Sequence, residues 1–328
     1  MPYADLPPEQ LRGHVSTSAE PADFDGFWAE TLAEARALGE PAAFTRFDSG
    51  LSLIDTYDVR FPGFRGQPIA GWLHLPAGTT EPLPCVVRYA GYGGGRGLAH
   101  ENTLWATAGF ATLVMDTRGQ GSHVSVGVTP DPDGSGPAYA GVMTRGIDDP
   151  RTYYYRRLIT DAVRAVDAAR AHPLVDPAGI VVAGASQGGG LTIAAAALAG
   201  DVAAALPDVP FLCDFPRATW IVDKAPYDEI VRYAATHRDR VDQVARTLSY
   251  ADGVHFAARA TAPTLFSVAL MDPTCPPSTV YAAYNAWTGP KQIREYRFNG
   301  HEGGGAFHTA EQLSWLSKHL NCAPSRTG

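Results

Sequence analysis

One serine, one histidine and one aspartate, far apart in the chain, carry the chemistry that this sequence offers. Ser186 stands in Gly184-Ala185-Ser186-Gln187-Gly188, after the β-branched run Ile180-Val181-Val182 and before an alanine- and leucine-rich run from Leu191. Strand, tight turn and helix with a lone serine at the turn form a nucleophile elbow, where small residues permit a strained turn that exposes the serine oxygen. A turn whose serine merely caps the next helix is the plainer reading; the flanking strand and helix favour the elbow. A serine hydroxyl is a weak nucleophile at neutral pH unless a base lies within hydrogen-bond reach and an acid orients that base.

The base is expected in a loop after a late strand. His308 and His319 fall in the predicted final helix and read as surface or packing residues. His301, in Asn299-Gly300-His301-Glu302-Gly303-Gly304-Gly305, sits between the last strand and that helix and is the candidate. The acid is expected between serine and histidine. Asp272 follows the strand Pro263 to Leu270 and is favoured, because its loop adjoins that of His301. Its plainer reading is a turn aspartate before proline. Asp214, which also ends an apolar run, is the rival, and Asp252 in a helical segment is weaker. The backbone N–H groups of Gln187 and Tyr92 are the candidate oxyanion donors. Tyr92, inside the glycine run Gly91 to Gly97, is also placed to touch substrate, since glycines allow close approach to the backbone.

These residues need a sheet whose strand ends converge. A helix is expected from Pro21 to about Leu38, then antiparallel strands at Phe44–Phe47, Leu51–Arg60 and Ile69–Pro76. Pro84–Ala90 and Phe110–Asp116, joined through a helix near Leu104–Ala106, read as a βαβ unit and hence a parallel sheet. Thr117 to Pro150 is a long loop without periodicity, of the kind that is usually functional or contacts a partner. Arg151–Ala171 is helical, and the helix after the elbow runs to Leu198. Ala203–Pro207 reads as a strand that continues through Phe211-Leu212-Cys213. Residues 216–259 read as inserted helices of mixed charge, among them Asp228-Glu229, lying over the serine. A strand to Leu270, a helix Pro277–Trp287, a strand Lys291–Phe298 and a final helix Phe307–Leu320 complete the alternation. The whole of 1–328 is expected to be a single domain, with an arm and helix in residues 1–40.

Composition narrows the class. The chain of 328 residues is 45% hydrophobic and 18% charged, as suits a globular protein with a substantial core. A net charge of −8 argues against a nucleic-acid surface. No apolar run approaches the roughly 18 residues of a membrane helix, and the start lacks a signal peptide's basic and apolar regions. No membrane contact is expected, and cytoplasmic residence is. Cys85, Cys213, Cys275 and Cys322 form no C-x-x-C pair and read as reduced thiols. No metal and no cofactor is expected: H-E-x-x-H is missing, and His301-Glu302 runs on into glycines.

The motifs Arg118-Gly119-Gln120, Gly184-Ala185-Ser186-Gln187-Gly188 and His301-Glu302, in that order, resemble carbohydrate esterase family seven, the acetyl xylan esterases and cephalosporin C deacetylases. The likeness extends to Gly91–Gly97, Asp149–Tyr155 and Cys275–Ser278, and spans about Pro21 to Leu320. The resemblance implies an α/β-hydrolase fold, with a mostly parallel central sheet and helices on both faces. It implies a serine esterase that removes acetyl groups from acetylated xylo-oligosaccharides, related sugar acetates and cephalosporin C, with small-molecule esters as its substrates. It implies Ser186, Asp272 and His301 as the catalytic set and Tyr92 and Gln187 as the oxyanion hole. It further implies a cytoplasmic homo-oligomer, a hexamer whose interfaces include the Thr117–Pro150 loop, with Arg118 and Gln120 as a structural brace. Asp214 stands where relatives often have histidine. A broader short-chain carboxylesterase is the alternative, and a serine peptidase of the same fold a weaker one, because only about 80 residues precede the first parallel strand, too few for a propeller. A non-catalytic binding protein would be expected to have lost part of this set.

Overall fold

The computed structural model describes residues 5–133, 136 and 140–320. Its frame is a nine-stranded sheet in the order β1-β2-β3-β5-β4-β6-β7-β8-β9. Strands β1 (Ala43–Phe47), β2 (Ile54–Pro62) and β3 (Pro68–Pro76) form an antiparallel edge. β3 joins antiparallel to β5 (Ala111–Met115). From there β4 (Leu83–Tyr89), β6 (Val175–Ala185), β7 (Ala204–Asp208), β8 (Thr264–Ala269) and β9 (Lys291–Tyr296) run parallel.

The apolar runs form these strands because both sheet faces are covered, so successive side chains enter different cores. Cys85, Val87 and Tyr89 of β4 and Ile180 and Val182 of β6 belong to one buried cluster. Val86, Val181, Ala183, Leu206 and Leu265 belong to another, with Trp105, Trp315 and Leu316. Helices α2 (Phe24–Arg36), α4 (Tyr154–Arg170), α5 (Gln187–Ala199) and α10 (Pro277–Ala286) supply the first core, and α3 (Leu104–Thr107) and α11 (Gly305–His319) cap the second. Leu191 to Ala196 of α5 are all buried, as expected of a helix that is apolar on every side. A short α1 (Pro8–Leu11) precedes them in the arm.

Helices α6 (Phe215–Ile221), α7 (Tyr227–Thr236), α8 (Val241–Ser249) and α9 (Gly253–Ala257) fill the interval between β7 and β8, where inserted helices were expected. One expectation fails. Phe211-Leu212-Cys213 does not extend β7. Val209 (φ 35°), Leu212 (φ 65°) and Asp214 (φ 52°) turn the backbone away, and the Phe211 N–H donates to the Ser186 carbonyl at 2.9 Å instead. The helix expected near Leu104–Ala106 is present as the four-residue α3, followed by Gly109 at φ 95°. Cys85, Cys213 and Cys275 are buried and unpaired; Cys322 lies outside the described residues. Among the described residues no helix is long and apolar enough to cross a membrane.

Candidate active site

The carboxyl ends of the parallel strands share one edge of the sheet, and the loops leaving them meet there. Ser186 follows β6 with φ 57° and ψ −122°, a strained conformation for a residue with a side chain. Two glycines make it sterically possible. A Cβ on Gly184 would lie 2.6 Å from the Gly188 carbonyl carbon, and one on Gly188 would lie 2.3 Å from the Tyr89 carbonyl oxygen. The elbow is tied to β7 by the Ser186 N–H, which donates to the Asp208 carbonyl at 3.0 Å.

His301, in the loop between β9 and α11, brings Nε2 to 3.0 Å from the Ser186 hydroxyl. Its Nδ1 lies 2.8 Å from Asp272 Oδ2. The Asp272 carboxylate is buried, and its other oxygen accepts the N–H groups of Thr274 (2.8 Å) and Cys275 (3.0 Å). Hydroxyl, imidazole and carboxylate therefore stand in one hydrogen-bonded line, with the histidine side chain 33% exposed at its open end. Asp214 and Asp252 take no part. Asp214 is buried against the N-terminal arm, accepting from Ser16 Oγ at 2.6 Å and facing His14 Nε2 at 3.0 Å. Asp252 caps α9 and accepts the Asp214 and Phe215 N–H groups. His308 is buried beside Tyr296, and its Nε2 lies 2.8 Å from Asp208 Oδ1 without the alignment of a hydrogen bond. His319 stacks on Trp315.

The glycine loop lies beside the serine: a Cβ on Gly91 would stand 4.0 Å from Ser186 Cβ. Among the described residues, the backbone N–H groups of Tyr92, which follows Gly91, and of Gln187, which follows Ser186, have no acceptor. The side chains behind them are fixed. Gln120 Oε1 accepts the Gly93 N–H at 2.7 Å, and Gln120 Nε2 donates to Gln187 Oε1 at 3.0 Å. The Tyr155 hydroxyl donates to the same Gln187 oxygen. Arg118, fully buried, pairs with Asp161 and Asp131 behind that brace.

Three residues near the site had no role there assigned from the sequence. Cys275 Sγ lies within 4.8 Å of the donor atoms of Asp272 and His301; burial, then the Asp272 charge, push its thiol well above the usual range and keep it neutral. Asp116, at the end of β5, binds the loop backbone. Glu229, read only as one charge of the mixed-charge inserted helices, is buried and bonds the Tyr92 phenol at 2.6 Å. Asp116 and Glu229 fall in no motif that spacing could mark, and Cys275, although it opens the Cys275–Ser278 stretch of the family likeness, has no local pattern that ties it to the site. A cavity of about 990 Å3 opens elsewhere, between arm residues 17–23 and helices α6, α7 and α8, and contains none of the residues of the hydrogen-bonded line.

Comparison with known proteins sets this geometry in a family. The acetyl esterase Axe7A of Xylanibacter ruminicola is 28% identical over 326 residues, 95% of this chain and 70% of that protein. The solved acetyl xylan esterase of Paenibacillus sp. R4 is 40% identical with a TM-score of 0.91, covering 96% of this chain and 100% of that one. Acetyl xylan esterase 1 of Thermoanaerobacterium sp. JW/SL YS485 is 33% identical with a TM-score of 0.86, covering 95% and 99%. The sequence model of the acetyl xylan esterase family matches residues 1–319. The chain accordingly belongs to the acetyl xylan esterase family, an α/β-hydrolase acting on carboxylic esters.

Proposed function

We propose that this protein removes acetyl groups from sugar hydroxyls, acetylated xylo-oligosaccharides among them, and the 3′ acetyl group of cephalosporin C, through an acyl-enzyme on Ser186. The observation that carries the reading is the unbroken line from the Ser186 hydroxyl through His301 to buried Asp272. In the first step His301 Nε2 takes the hydroxyl proton as Ser186 Oγ attacks the ester carbonyl. Asp272, bonded at Nδ1, holds the ring in the tautomer whose Nε2 is free to accept, and stabilises the imidazolium. The Tyr92 and Gln187 N–H groups hold the oxygen that becomes negative. Collapse expels the sugar alcohol, which takes its proton from His301. Water, deprotonated by the same nitrogen, then attacks the acetyl-serine and releases acetate. Every step is a proton or acyl transfer that these side chains complete.

Ser186→Ala should abolish p-nitrophenyl acetate hydrolysis while leaving the melting temperature within a few degrees; a variant that keeps its rate refutes the assignment. Rates should drop about tenfold or more from acetyl to butyryl esters if the inserted helices, whose α7 reaches Tyr92 through Glu229, crowd the acyl end. A flat chain-length profile would support a broad short-chain carboxylesterase instead. Rates on acetylated xylo-oligosaccharides and cephalosporin C test the leaving-group range. The proposal includes a cytoplasmic hexamer by analogy with the family, and a solution mass equal to one chain would remove that part.

A further inference from the structure

We infer that Glu229 is a positioning residue for the oxyanion hole, holding Tyr92 through its phenol so that the Tyr92 N–H points at the reacting oxygen. The inference rests on the proposed role of that N–H. Tyr92 sits between Gly91 and Gly93, and Gly93 has φ 80°; the turn is closed by a single backbone bond, the Gly94 N–H donating to the Gly91 carbonyl at 3.0 Å. The side chain adds the second constraint, on the face that the turn leaves unheld. The phenol donates to Glu229 Oε1 at 2.6 Å and accepts the Val142 N–H at 2.8 Å. Glu229 Oε2 accepts the Met143 N–H at 3.1 Å. One carboxylate thus joins helix α7, the 141–143 loop and the glycine loop.

Packing alone does not explain an acid here. Glu229 is 5% exposed and forms no ion pair among the described residues; burial is the largest influence on its carboxyl and raises its pKa, while the more distant Arg145 charge favours the ionised form only weakly. A buried carboxylate held only by neutral donors costs stability that an apolar side chain of similar size would not. A charged acceptor does make a shorter and stronger bond to a phenol than a neutral one. Gly141 passes so close that a Cβ there would lie 2.3 Å from Glu229 Oε1, which closes the carboxylate in place. On the far side the Gly93 N–H is held by Gln120. The Tyr92 peptide is therefore gripped from both flanks, and an oxyanion donor must be placed to a fraction of an ångström to be effective.

The test is a double-mutant cycle on the full chain with p-nitrophenyl acetate, using Glu229→Ala, Tyr92→Phe and the pair. Both single variants keep the Tyr92 N–H but lose its anchor. Each should lower kcat about tenfold, less than the roughly 10²–10³ lost when an oxyanion donor is removed outright, with KM within about twofold. The pair should be no worse than either single variant, because both cut the same link. Unchanged kcat in Glu229→Ala, or an equal further loss on the Tyr92→Phe background, overturns the inference. If the alanine variant does not fold, Glu229→Gln replaces it in the cycle. Its amide can accept only one of the two bonds, so a kcat loss of about threefold that vanishes beside Tyr92→Phe supports the inference, and wild-type kcat overturns it. Ser186→Ala run alongside separates the levels. Activity there defeats the underlying mechanism, whereas an inactive Ser186→Ala beside a fully active Glu229→Ala defeats only the role of Glu229.

Discussion

At Asp272 the two carboxylate oxygens have different duties, and that difference decides what an amide would do there. Oδ1 is held by the Thr274 and Cys275 N–H groups, while Oδ2 faces His301 Nδ1. In Asp272→Asn the amide oxygen must take the Oδ1 position, since an NH2 group there would meet two backbone donors. The NH2 then faces Nδ1 and forces the imidazole to carry its proton on Nε2, where it cannot take one from Ser186. The expected result is a loss in kcat of about 10³- to 10⁴-fold with little change in melting temperature, by analogy with triads on other folds. A thermal melt beside the rate separates this from misfolding. The same substitution at the rival, Asp214→Asn, should leave kcat within about threefold, because its partners are His14 and Ser16 of the arm. A larger effect at 214 than at 272 would reverse the assignment of the acid.

At the scale of elements, the loops that carry these residues are held by buried polar knots. The clearest is Asp116 at the end of β5. Its Oδ1 accepts the N–H groups of Arg96 and Thr117, and its Oδ2 those of Val128 and Thr129 and the Thr129 hydroxyl. One fully buried carboxylate thereby ties the glycine loop to residues 128–129. Asp116→Asn turns an NH2 group toward donors on one side, and should cost about 3 kcal/mol in denaturant unfolding with an unchanged m-value. Lost order in the glycine loop should lower kcat with it. The elements themselves were legible because their signal is local: Ile180-Val181-Val182 is a covered strand whatever follows, and Ser186 between small residues marks its end. Phe211-Leu212-Cys213 carries the same apolar signal, yet its backbone is bent by the Ser186 carbonyl that it must bond. The Tyr92–Glu229 bond spans 137 residues, and nothing within either segment announces the other. His301 and Asp272 were found by chain order rather than by local pattern, which works only where a fold fixes that order.

For the molecule as a whole, the burial of a histidine with one unpartnered ring nitrogen gives global stability a dependence on acid. His74 on β3 is fully buried, its Nδ1 lies 3.1 Å from the Thr56 hydroxyl, and its Nε2 has no partner. Burial pushes its pKa down to about 4. An unfolded chain returns this imidazole to water, where it titrates near 6.5. Between these values the unfolded state binds a proton that the folded state refuses, so unfolding gains ground as pH falls from 6.5 to 4. The contribution is fully present above pH 6.5, and the total loss on reaching pH 4 is about 3 kcal/mol. Carboxylates elsewhere add their own acid dependence, so the measurement has to be a difference. Wild type and His74→Leu should be unfolded in urea at pH 7.5, 6, 5 and 4.5. The leucine variant loses the bond to Thr56 and starts less stable, by about 1 kcal/mol, but its stability should decline less steeply below pH 6.5. The gap between the two should narrow and then reverse before pH 4.5. Parallel curves would mean that His74 accepts its proton in the folded protein as readily as in water, and that the sheet around it opens enough to let water in.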